Sequence, residues 1–275
     1  MGRTLNGIRG TSVAVAALRM LESGRPDRLF EDPYARYFVD SACAPGEWAD
    51  AADFVELMSE QVAVRTRFLD VAMLGAGCAQ VVLLASGMDA RPYRLPWPAG
   101  TRLYELDFAD VLSVKRTALA GSGALPRCVH VEVPVDLRDD WPEALREAGF
   151  QPEEPTAWLL EGLLYGLPAS AADTVLERLT GLSAPGSALA ADHGEDSVAL
   201  RAARAAISAE LVALWQGGPS DPEAWLRAGG WLPEVHDVAE VAARYGRPAP
   251  PAFDPARPDA GRGWLITARL AAETP

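Results

Sequence analysis

The 275-residue sequence predicts an α/β fold with a mostly parallel, doubly wound sheet. The first reason is a continuous apolar run from Val81 to Ala85, which is typical of a strand buried on both faces. The second is that strand-like segments alternate with helical patterns of roughly 10 to 15 residues. The third is that charged residues recur where predicted strands end, at the edge where such sheets bind ligands.

The turn after the central strand predicts a nucleoside-binding loop. Gly87 has no Cβ, so it permits a positive φ or the close approach of a ligand, and Asp89 follows it. Asp107 lies 20 residues after Gly87, the spacing at which Rossmann-like sheets present a carboxylate to ribose hydroxyls. The loop lacks the three glycines of G-x-G-x-x-G, which argues against NAD or FAD. A mononucleoside ligand such as S-adenosylmethionine fits better.

Helices are predicted on the N-terminal side of the central strand. Arg19 lies near the end of the first, and Arg65 and Arg67 lie on the third. A solvated helix face is the ordinary explanation for either Arg65 or Arg67. The predicted helices cover residues 11–23, the segment DPYARYFVD that opens on Asp32 and Pro33, and residues 49–74.

Later strands repeat the pattern of a charged group at the carboxyl end. The strand CVHVEV leads to Asp136, and TAWLL leads to Glu161, with Tyr165 in the turn beyond. The segment SALAADHG ends in Asp192 and His193. Because parallel strands end at one edge, we expect these side chains to face one site.

The remaining sequence divides into a cap and a closing region within one domain. Residues 195–230 are helical in pattern and predict a substrate cap, and residues 231–275 contain the closing strands, the last of which is GWLITARL. Trp215, Trp225 and Trp231 are either core residues or an aromatic wall for a flat or apolar substrate. The other predicted regions are N-terminal helices over the cofactor site (1–75) and a cofactor-binding core (76–194). The Pro-rich stretch RPAPPAFDPARP is expected to be a surface loop.

Composition excludes several classes of function. The formal net charge of −13 disfavours binding to nucleic acids or anionic membranes. Cys43, Cys78 and Cys128 are too few and too scattered for a disulfide framework or a zinc site. The sequence has no 18-residue apolar run and no apolar signal segment at its start. We therefore expect a soluble, cytoplasmic protein without a metal.

The ordered motifs of this chain resemble the leucine carboxyl methyltransferase family of S-adenosylmethionine-dependent enzymes. This family includes bacterial members that O-methylate natural products such as tetracenomycin-type polyketides. The resemblance covers about residues 8–193 and implies the Rossmann-like, seven-stranded class I methyltransferase sheet. The motifs are IRGTS, EDPYARYFV, VRTRFLD, VVLLASGMDARPYRL, YELDFADVLSVKR, VPVDLRDDW and LLEGLLYGLP.

The resemblance implies a role for each matching residue. Gly87 and Asp89 belong to the loop that approaches the methionine part of S-adenosylmethionine, and Asp107 would accept hydrogen bonds from its ribose. Arg65 would pair with the methionine carboxylate, and Arg19 lies where the family has a basic residue for the same group. Three more predicted cofactor residues are Asp136 and Leu137 beside the adenine and Glu161 near the amino-acid end. Ser86 departs from the small apolar residue or glycine usual in the family.

The acceptor stays open between two chemistries and a non-catalytic alternative. A carboxylate is already ionised at neutral pH and needs no base, whereas a phenol or an alcohol must lose a proton. His193 is a candidate base or substrate contact at a strand edge, Tyr165 is a second catalytic candidate, and Trp215 is a candidate acceptor contact. We expect a methyl ester of a small-molecule or peptide acid as product, along with S-adenosylhomocysteine, in natural-product or antibiotic biosynthesis. Hydroxyl methylation of a polyketide-like acceptor and a fold repurposed for binding are the alternatives, and the chain is expected to be a monomer or a homodimer.

Overall fold

A seven-stranded sheet runs through the residues that the computed structural model describes, namely 7–42, 52–207 and 215–271. Its strand order is β3-β2-β1-β4-β5-β7-β6; β1 to β5 are parallel, and β7 is antiparallel to both of its neighbours. This arrangement confirms the predicted Rossmann-like sheet. The strands are β1 Gln80–Leu84, β2 Arg102–Asp107, β3 Val129–Pro134, β4 Thr156–Leu160, β5 Ala188–Gly194, β6 Trp231–Asp237 and β7 Gly263–Leu270.

Helices cover both faces of the sheet. On one face, Trp141 and Leu179 belong to a core cluster with residues of β1, β4 and β5. On the other, Leu69 and Met73 pack with the alternate residues of the same strands. The helices are α1 Gly7–Ser23, α2 Ala35–Ala42, α3 Ala52–Gly75, α4 Arg91–Arg94, α5 Ala109–Ala120, α6 Trp141–Glu147, α7 Ala169–Gly181, α8 Val198–Ile207, α9 Pro222–Ala228 and α10 Val238–Arg244, with 3-10 turns at Leu164–Gly166 and Pro251–Phe253.

The position of the central strand β1 in the sheet explains why its residues are all apolar or buried. All five residues of β1 are buried, because β1 pairs with β2 on one side and β4 on the other while helices cover both faces. Val82, for example, lies opposite Tyr104 of β2 and Trp158 of β4. A strand in this position has no wet face, so its apolar residues form an uninterrupted run.

The N-terminal helices bring arginines to the carboxyl edge of the sheet. α1 packs against α2 and α3, and α3 in turn packs against the sheet. Asp32 begins the second helical segment, as its Asp-Pro sequence predicts: its carboxylate accepts hydrogen bonds from the amides of Tyr34 and Ala35. Arg19 on α1 and Arg65 on α3 are both almost fully buried above the strand ends.

The closing region contains a strand that the sequence pattern did not identify individually. β6 includes Pro233, and proline within an apolar run argues against a central strand. The structure resolves this conflict by placing β6 at the edge of the sheet, where it pairs with β7 alone. Asp237 then caps α10 through bonds from the amides of Ala239 and Glu240.

Two other expectations need comment. The Pro-rich stretch is not only a surface loop, because Phe253 within it is 6% exposed and packs against Gly194 and Gly263. Cys43 and residues 208–214 of the predicted cap lie outside the described residues. Among the described helices, none is long and apolar enough to cross a membrane.

Candidate active site at the strand ends

The turn after β1 has the backbone geometry that its glycine predicts. Gly87 has a φ of +51°, and a Cβ at this position would lie 2.9 Å from Cβ of Ser12. The amide of Gly87 donates a 2.7 Å hydrogen bond to Oδ2 of Asp107. The two residues that are 20 positions apart in sequence are therefore direct neighbours in the fold.

Asp107 is a buried carboxylate that can accept further hydrogen bonds. It is 5% exposed, and its Oδ1 accepts a 2.7 Å bond from the amide of Phe108. Burial raises the pKa of Asp107, while the bonds from the Gly87 and Phe108 amides oppose that rise. A carboxylate offers about four lone-pair sites, so two amide bonds leave room for further donors such as hydroxyls.

Three arginines converge on Glu161 at the end of β4. Oε1 lies 2.6 Å from Nη2 of Arg19 and 3.0 Å from Nε of Arg65, and Oε2 lies 2.5 Å from Nη1 of Arg91. Burial alone would raise the pKa of Glu161, but the charges of Arg19, Arg91 and Arg65 outweigh it and hold the pKa well below its ordinary value. Arg19, Arg65 and Glu161, which the family resemblance assigned to one end of the cofactor, thus form one buried cluster.

Asp89 pairs with Arg91, one of the three arginines of this cluster. Its Oδ1 accepts the amide of Arg91 at 2.7 Å, and its Oδ2 pairs with the Arg91 guanidinium. Asp70 on α3 pairs with Arg91 at 2.7 Å and with Arg94 at 2.6 Å. Arg91 is fully buried, so these carboxylates fix its orientation toward Glu161.

The loop after β3 contains Asp136 and Leu137 at a more open part of the edge. It lies next to the end of β2, because the amide of Val135 donates a 2.9 Å bond to the carbonyl of Asp107. Asp136 is partly exposed and pairs at 2.5 Å with Arg138, while Leu137 packs against the main core cluster. The hydrogen bond from Arg138 holds the pKa of Asp136 below its ordinary value.

Arg65 connects this charge cluster to the end of β5. Its Nη1 lies 3.0 Å from Oδ2 of Asp192, and Oδ1 of Asp192 accepts a 2.6 Å bond from the amide of Gly162. The Arg65 guanidinium acts to lower the pKa of the Tyr165 hydroxyl, against the larger effect of burial. Burial raises the pKa of Tyr165 to about 12, so its phenol stays protonated at neutral pH and is a donor rather than a base.

A cavity of about 90 Å³ opens beside Arg65, between the N-terminal helices and the segment that follows β5. Its walls are mainly apolar. Among the described residues, three charged side chains line it: Arg65, Asp192 and Arg204 of α8. The other lining residues are Thr11, Ala14, Val15, Phe54, Met58, Gln61, Val62, Tyr165, His193, Gly194, Leu200, Trp215 and Phe253.

Trp215 lines the cavity and stacks against two other side chains of its lining. Its ring lies parallel to that of Tyr165 with 4.4 Å between centroids, and the Arg204 guanidinium lies 4.3 Å from its centroid. Nη2 of Arg204 pairs at 2.6 Å with Asp196, whereas its Nε and Nη1 have no hydrogen-bond partner in the described part of the chain. An arginine with unpaired donors therefore borders an apolar cavity.

His193 lies where the sequence predicted a charged or polar group at the carboxyl end of β5. It is 5% exposed, lines the cavity and stacks on Trp264 with 5.6 Å between centroids. Its Nδ1 has no partner among the described residues. Burial lowers the pKa of His193 below its ordinary value of 6.5, so the ring is neutral at pH 7.

The three predicted tryptophans do not form one wall. Only Trp215 lines the cavity. Trp225 packs against the main core cluster and bonds to Asp173, and Trp231 is 1% exposed and bonds to Thr180. Proximity in sequence was misleading because a helix and the start of β6 carry these two away from the cavity.

The sequence missed the cavity residues Gln61, Arg204 and Phe253. Gln61 is four positions before Arg65, so it shares a helix face with a predicted site residue, which was a usable signal. Arg204 gave none, since an arginine among helical alanines is typical of a solvated surface. No cluster of potential metal ligands occurs among the described residues, where Cys78 and Cys128 are free thiols.

Comparison with known proteins shows what the chain is similar to. The model of one protein family, Leucine carboxyl methyltransferase, matches residues 12–180. A protein of Rhodococcus jostii named as an S-adenosyl-L-methionine-dependent methyltransferase is 44% identical over 87% of this chain and 88% of its own length. A protein of Frankia alni with the same type of name is 39% identical over 96% of this chain and 95% of its own length.

Solved structures share the fold at low sequence identity. A DUF574 family protein from Streptomyces avermitilis aligns with a TM-score of 0.55 at 16% identity, covering 93% of this chain and 97% of that one. Human N-acetylserotonin methyltransferase, in complex with S-adenosylmethionine, aligns with a TM-score of 0.50 at 13% identity, covering 94% of this chain and 67% of that one.

Proposed function

The chain belongs to the leucine carboxyl methyltransferase family and is an S-adenosylmethionine-dependent methyltransferase, and we propose that it methylates a carboxylate oxygen. The acceptor is a small-molecule or peptide acid, and the product is its methyl ester. A role in natural-product biosynthesis and a cytoplasmic location are parts of the same proposal. The observation that carries it is that two guanidinium nitrogens of Arg204, a residue of the cavity lining, have no hydrogen-bond partner among the described residues.

That lining favours an anionic acceptor. Arg65 is paired with Glu161 and Asp192, whereas Arg204 has one carboxylate partner, Asp196, among the described residues, and His193 is neutral at pH 7. Nε and Nη1 of Arg204 are unpaired within the described residues. Buried donors without partners are unfavourable by about 1 to 3 kcal/mol, and a carboxylate would satisfy them with charge-assisted bonds.

The residues at the strand ends fit the family's cofactor. Oγ of Ser86 is a buried polar atom without a partner in the described residues, and Asp107 beside it has unused lone pairs. In this proposal Asp107 holds the ribose, while Asp89 acts through Arg91 by orienting it. The other holding groups are Gly87, Arg19, Arg65 and Glu161 at the methionine end and Asp136 and Leu137 at the adenine.

The chemistry that S-adenosylmethionine supplies is an electrophilic methyl group on a sulfonium, so the new C–O bond forms as the C–S bond breaks and its electrons go to sulfur. The protein's task is to align the acceptor oxygen, because an ionised carboxylate needs no base. Arg65 is held in place by its ion pairs with Glu161 and Asp192, and it lines the cavity as a fixed cation. The apolar walls exclude water from the attacking oxygen.

Hydroxyl methylation is the second candidate, and His193 is the observation that favours it. Its Nδ1 is unpaired within the described residues and borders the cavity, and its lowered pKa leaves it able to accept a proton at neutral pH. Rates for a hydroxyl acceptor would fall as the histidine becomes protonated. Rates for a carboxylate acceptor would not depend on that titration.

The test is a screen of carboxylic acids and phenols with S-adenosylmethionine, analysed by mass spectrometry before and after mild alkali. Methyl esters hydrolyse in alkali and methyl ethers do not, so the product class identifies the acceptor oxygen. Arg204→Met should raise KM for an acid at least tenfold. Arg201→Met is the matched control, because Arg201 pairs with the same Asp196 but does not line the cavity.

Each outcome separates the candidates. Alkali-stable products alone would refute carboxyl methylation in favour of hydroxyl methylation. Binding of S-adenosylhomocysteine without transfer to any acid or phenol would favour a fold used for binding. Equal KM values for Arg204→Met and Arg201→Met would remove Arg204 from acceptor recognition.

A further inference from the structure

The cavity proposed to bind the methyl acceptor is lined by hydrogen-bonding atoms of both kinds, donors and acceptors, that have no partner within the described residues. Among the described residues, Nδ1 of His193 and Oε1 of Gln61 have no hydrogen-bond partner, and both side chains line the cavity. His193 is 5% exposed and Gln61 is 4% exposed, so bulk water does not supply the missing hydrogen bonds. A bare carboxylate could pair with Arg204 but could not donate to either atom.

The surroundings of His193 determine which of its nitrogens faces the cavity as an acceptor. A hydrogen bond with the backbone of Pro219 raises the pKa of the ring against the effect of burial, and because proline has no amide hydrogen its carbonyl is the acceptor. Since Nδ1 has no partner among the described residues, we assign the ring proton to Nε2. Nδ1 therefore presents a lone pair. The lowered pKa of His193 keeps it in this neutral form at pH 7.

The ring is also held in place. It stacks on Trp264 with an interplanar angle of 16°. Gly218 lies close to the ring, because a Cβ at this position would come within 2.8 Å of Cε1 of His193. The amide of Gly218 donates to the carbonyl of Leu167 at 2.9 Å, which fixes this approach. A rigid ring with an unpaired acceptor is suited to selecting a donor on a ligand.

We propose that the acceptor is an apolar carboxylic acid that also carries a hydroxyl or N–H group, which donates a hydrogen bond to Nδ1 of His193 while the carboxylate lies against Arg204. Oε1 of Gln61 offers a second acceptor for the same donor or a neighbouring one. The inference rests on the proposed carboxyl methylation for the identity of the attacking oxygen. Sites built to bond a ligand's hydroxyl discriminate strongly against analogues without it, since the buried partner is then left unpaired.

The cavity volume sets the size of the probes. About 90 Å³ is below the roughly 150 Å³ of a protein cavity that holds benzene, so the cavity encloses the reactive end of an acceptor and only part of an aromatic ring, and the probes are limited to one ring. Suitable probes are benzoic acid, 3-hydroxybenzoic acid and 4-hydroxybenzoic acid. Methyl 4-hydroxybenzoate is a fourth probe that lacks the anionic group.

The experiment is calorimetric titration of the four probes into the full-length protein saturated with S-adenosylhomocysteine. At least one hydroxybenzoic acid should bind tenfold or more tightly than benzoic acid, and methyl 4-hydroxybenzoate should bind more weakly than its acid. In His193→Phe, which keeps a flat ring, the preference for the hydroxyl should fall to within twofold. His236→Phe is the matched control, because His236 does not line the cavity.

The outcomes distinguish this inference from the proposed function. If benzoic acid binds as tightly as both hydroxybenzoic acids, if the preference persists in His193→Phe, or if none of the four probes binds, the inference is wrong. His193→Asn, whose amide oxygen can accept near the Nδ1 position, should restore part of the preference and guards against a misfolded His193→Phe. Mass spectrometry of the same acids with S-adenosylmethionine tests carboxyl methylation separately: alkali-stable ethers would refute that function and leave the donor contact to be judged by the binding data.

Discussion

Replacing Asp107 with asparagine tests the placement of the cofactor's ribose most directly. Both carboxylate oxygens are in use, because Oδ2 accepts from the Gly87 amide and Oδ1 from the Phe108 amide, each at 2.7 Å. Asparagine supplies one acceptor oxygen, and its NH₂ group must face one of these two amides. The substitution thus removes the negative charge and also disturbs the turn that positions Gly87.

The expected effect follows from the loss of charge-assisted hydrogen bonds. Such bonds contribute about 1.5 to 3 kcal/mol, so the Kd of S-adenosylhomocysteine should rise roughly 10- to 150-fold. The assay is calorimetric titration at neutral pH, with the free energy of unfolding measured in urea to show that the variant is folded. Asp140→Asn is the control, since Asp140 is exposed and its side chain makes no capping bond to α6. A Kd for Asp107→Asn within twofold of that of Asp140→Asn would refute the ribose assignment.

Three further predictions concern the framework of the site. Gly87→Ala should lower the free energy of unfolding by at least 1 kcal/mol more than Gly100→Ala, because both have positive φ but only Gly87 meets another atom, at 2.9 Å; equal losses in urea denaturation would contradict this. Arg91→Met should lower the free energy of unfolding by about 3 to 5 kcal/mol in the same assay, because it leaves buried carboxylates unpaired. Arg138 is exposed, so Arg138→Met should change the free energy of unfolding by less than about 1 kcal/mol. The pKa of His193 is lowered on folding, so the unfolded chain binds a proton at this residue more readily than the folded chain. The free energy of unfolding of the wild type should therefore fall relative to that of His193→Phe as the pH drops below about 6.5. Parallel stability curves of the two proteins between about pH 7.5 and 5.5 would contradict the burial of a neutral ring.

The sequence predicted the parts of the site that follow from the geometry of a parallel sheet. β1 and β2 run side by side in register, so a turn residue after one and a carboxylate at the end of the other become neighbours whatever the side chains between them. The spacing of Gly87 and Asp107 was therefore sufficient. The convergence of Arg19 and Arg65 on Glu161 came only from the family resemblance, because helix periodicity does not say how a helix lies on a distant strand end.

Arg65, Tyr165, His193 and Trp215 of the cavity lining were predicted from the sequence, but most of the lining was not, for a different reason. Its polar groups are held by contacts between segments far apart in sequence, such as the stack of Trp215 on Tyr165, and no local pattern encodes such pairs. Arg204 illustrates the difficulty, since its only described ion pair is with Asp196, which precedes α8, and an arginine on an alanine-rich helix gives no sign that it borders a cavity. β6 was obscured by Pro233, whose effect depends on whether the strand is central or at an edge.

Arg65 joins the two halves of the site physically. It pairs with Glu161 and with Asp192 and lines the cavity itself, so in the proposed function it contacts both the cofactor and the acceptor. In that proposal a carboxylate of the cofactor that engages Arg65 shares it with Glu161. On the cavity side, Tyr165 stacks on Trp215, whose ring also lies against the Arg204 guanidinium. Arg19 pairs with the same Glu161 but does not line the cavity, so Arg65 and not Arg19 borders both parts of the proposed site.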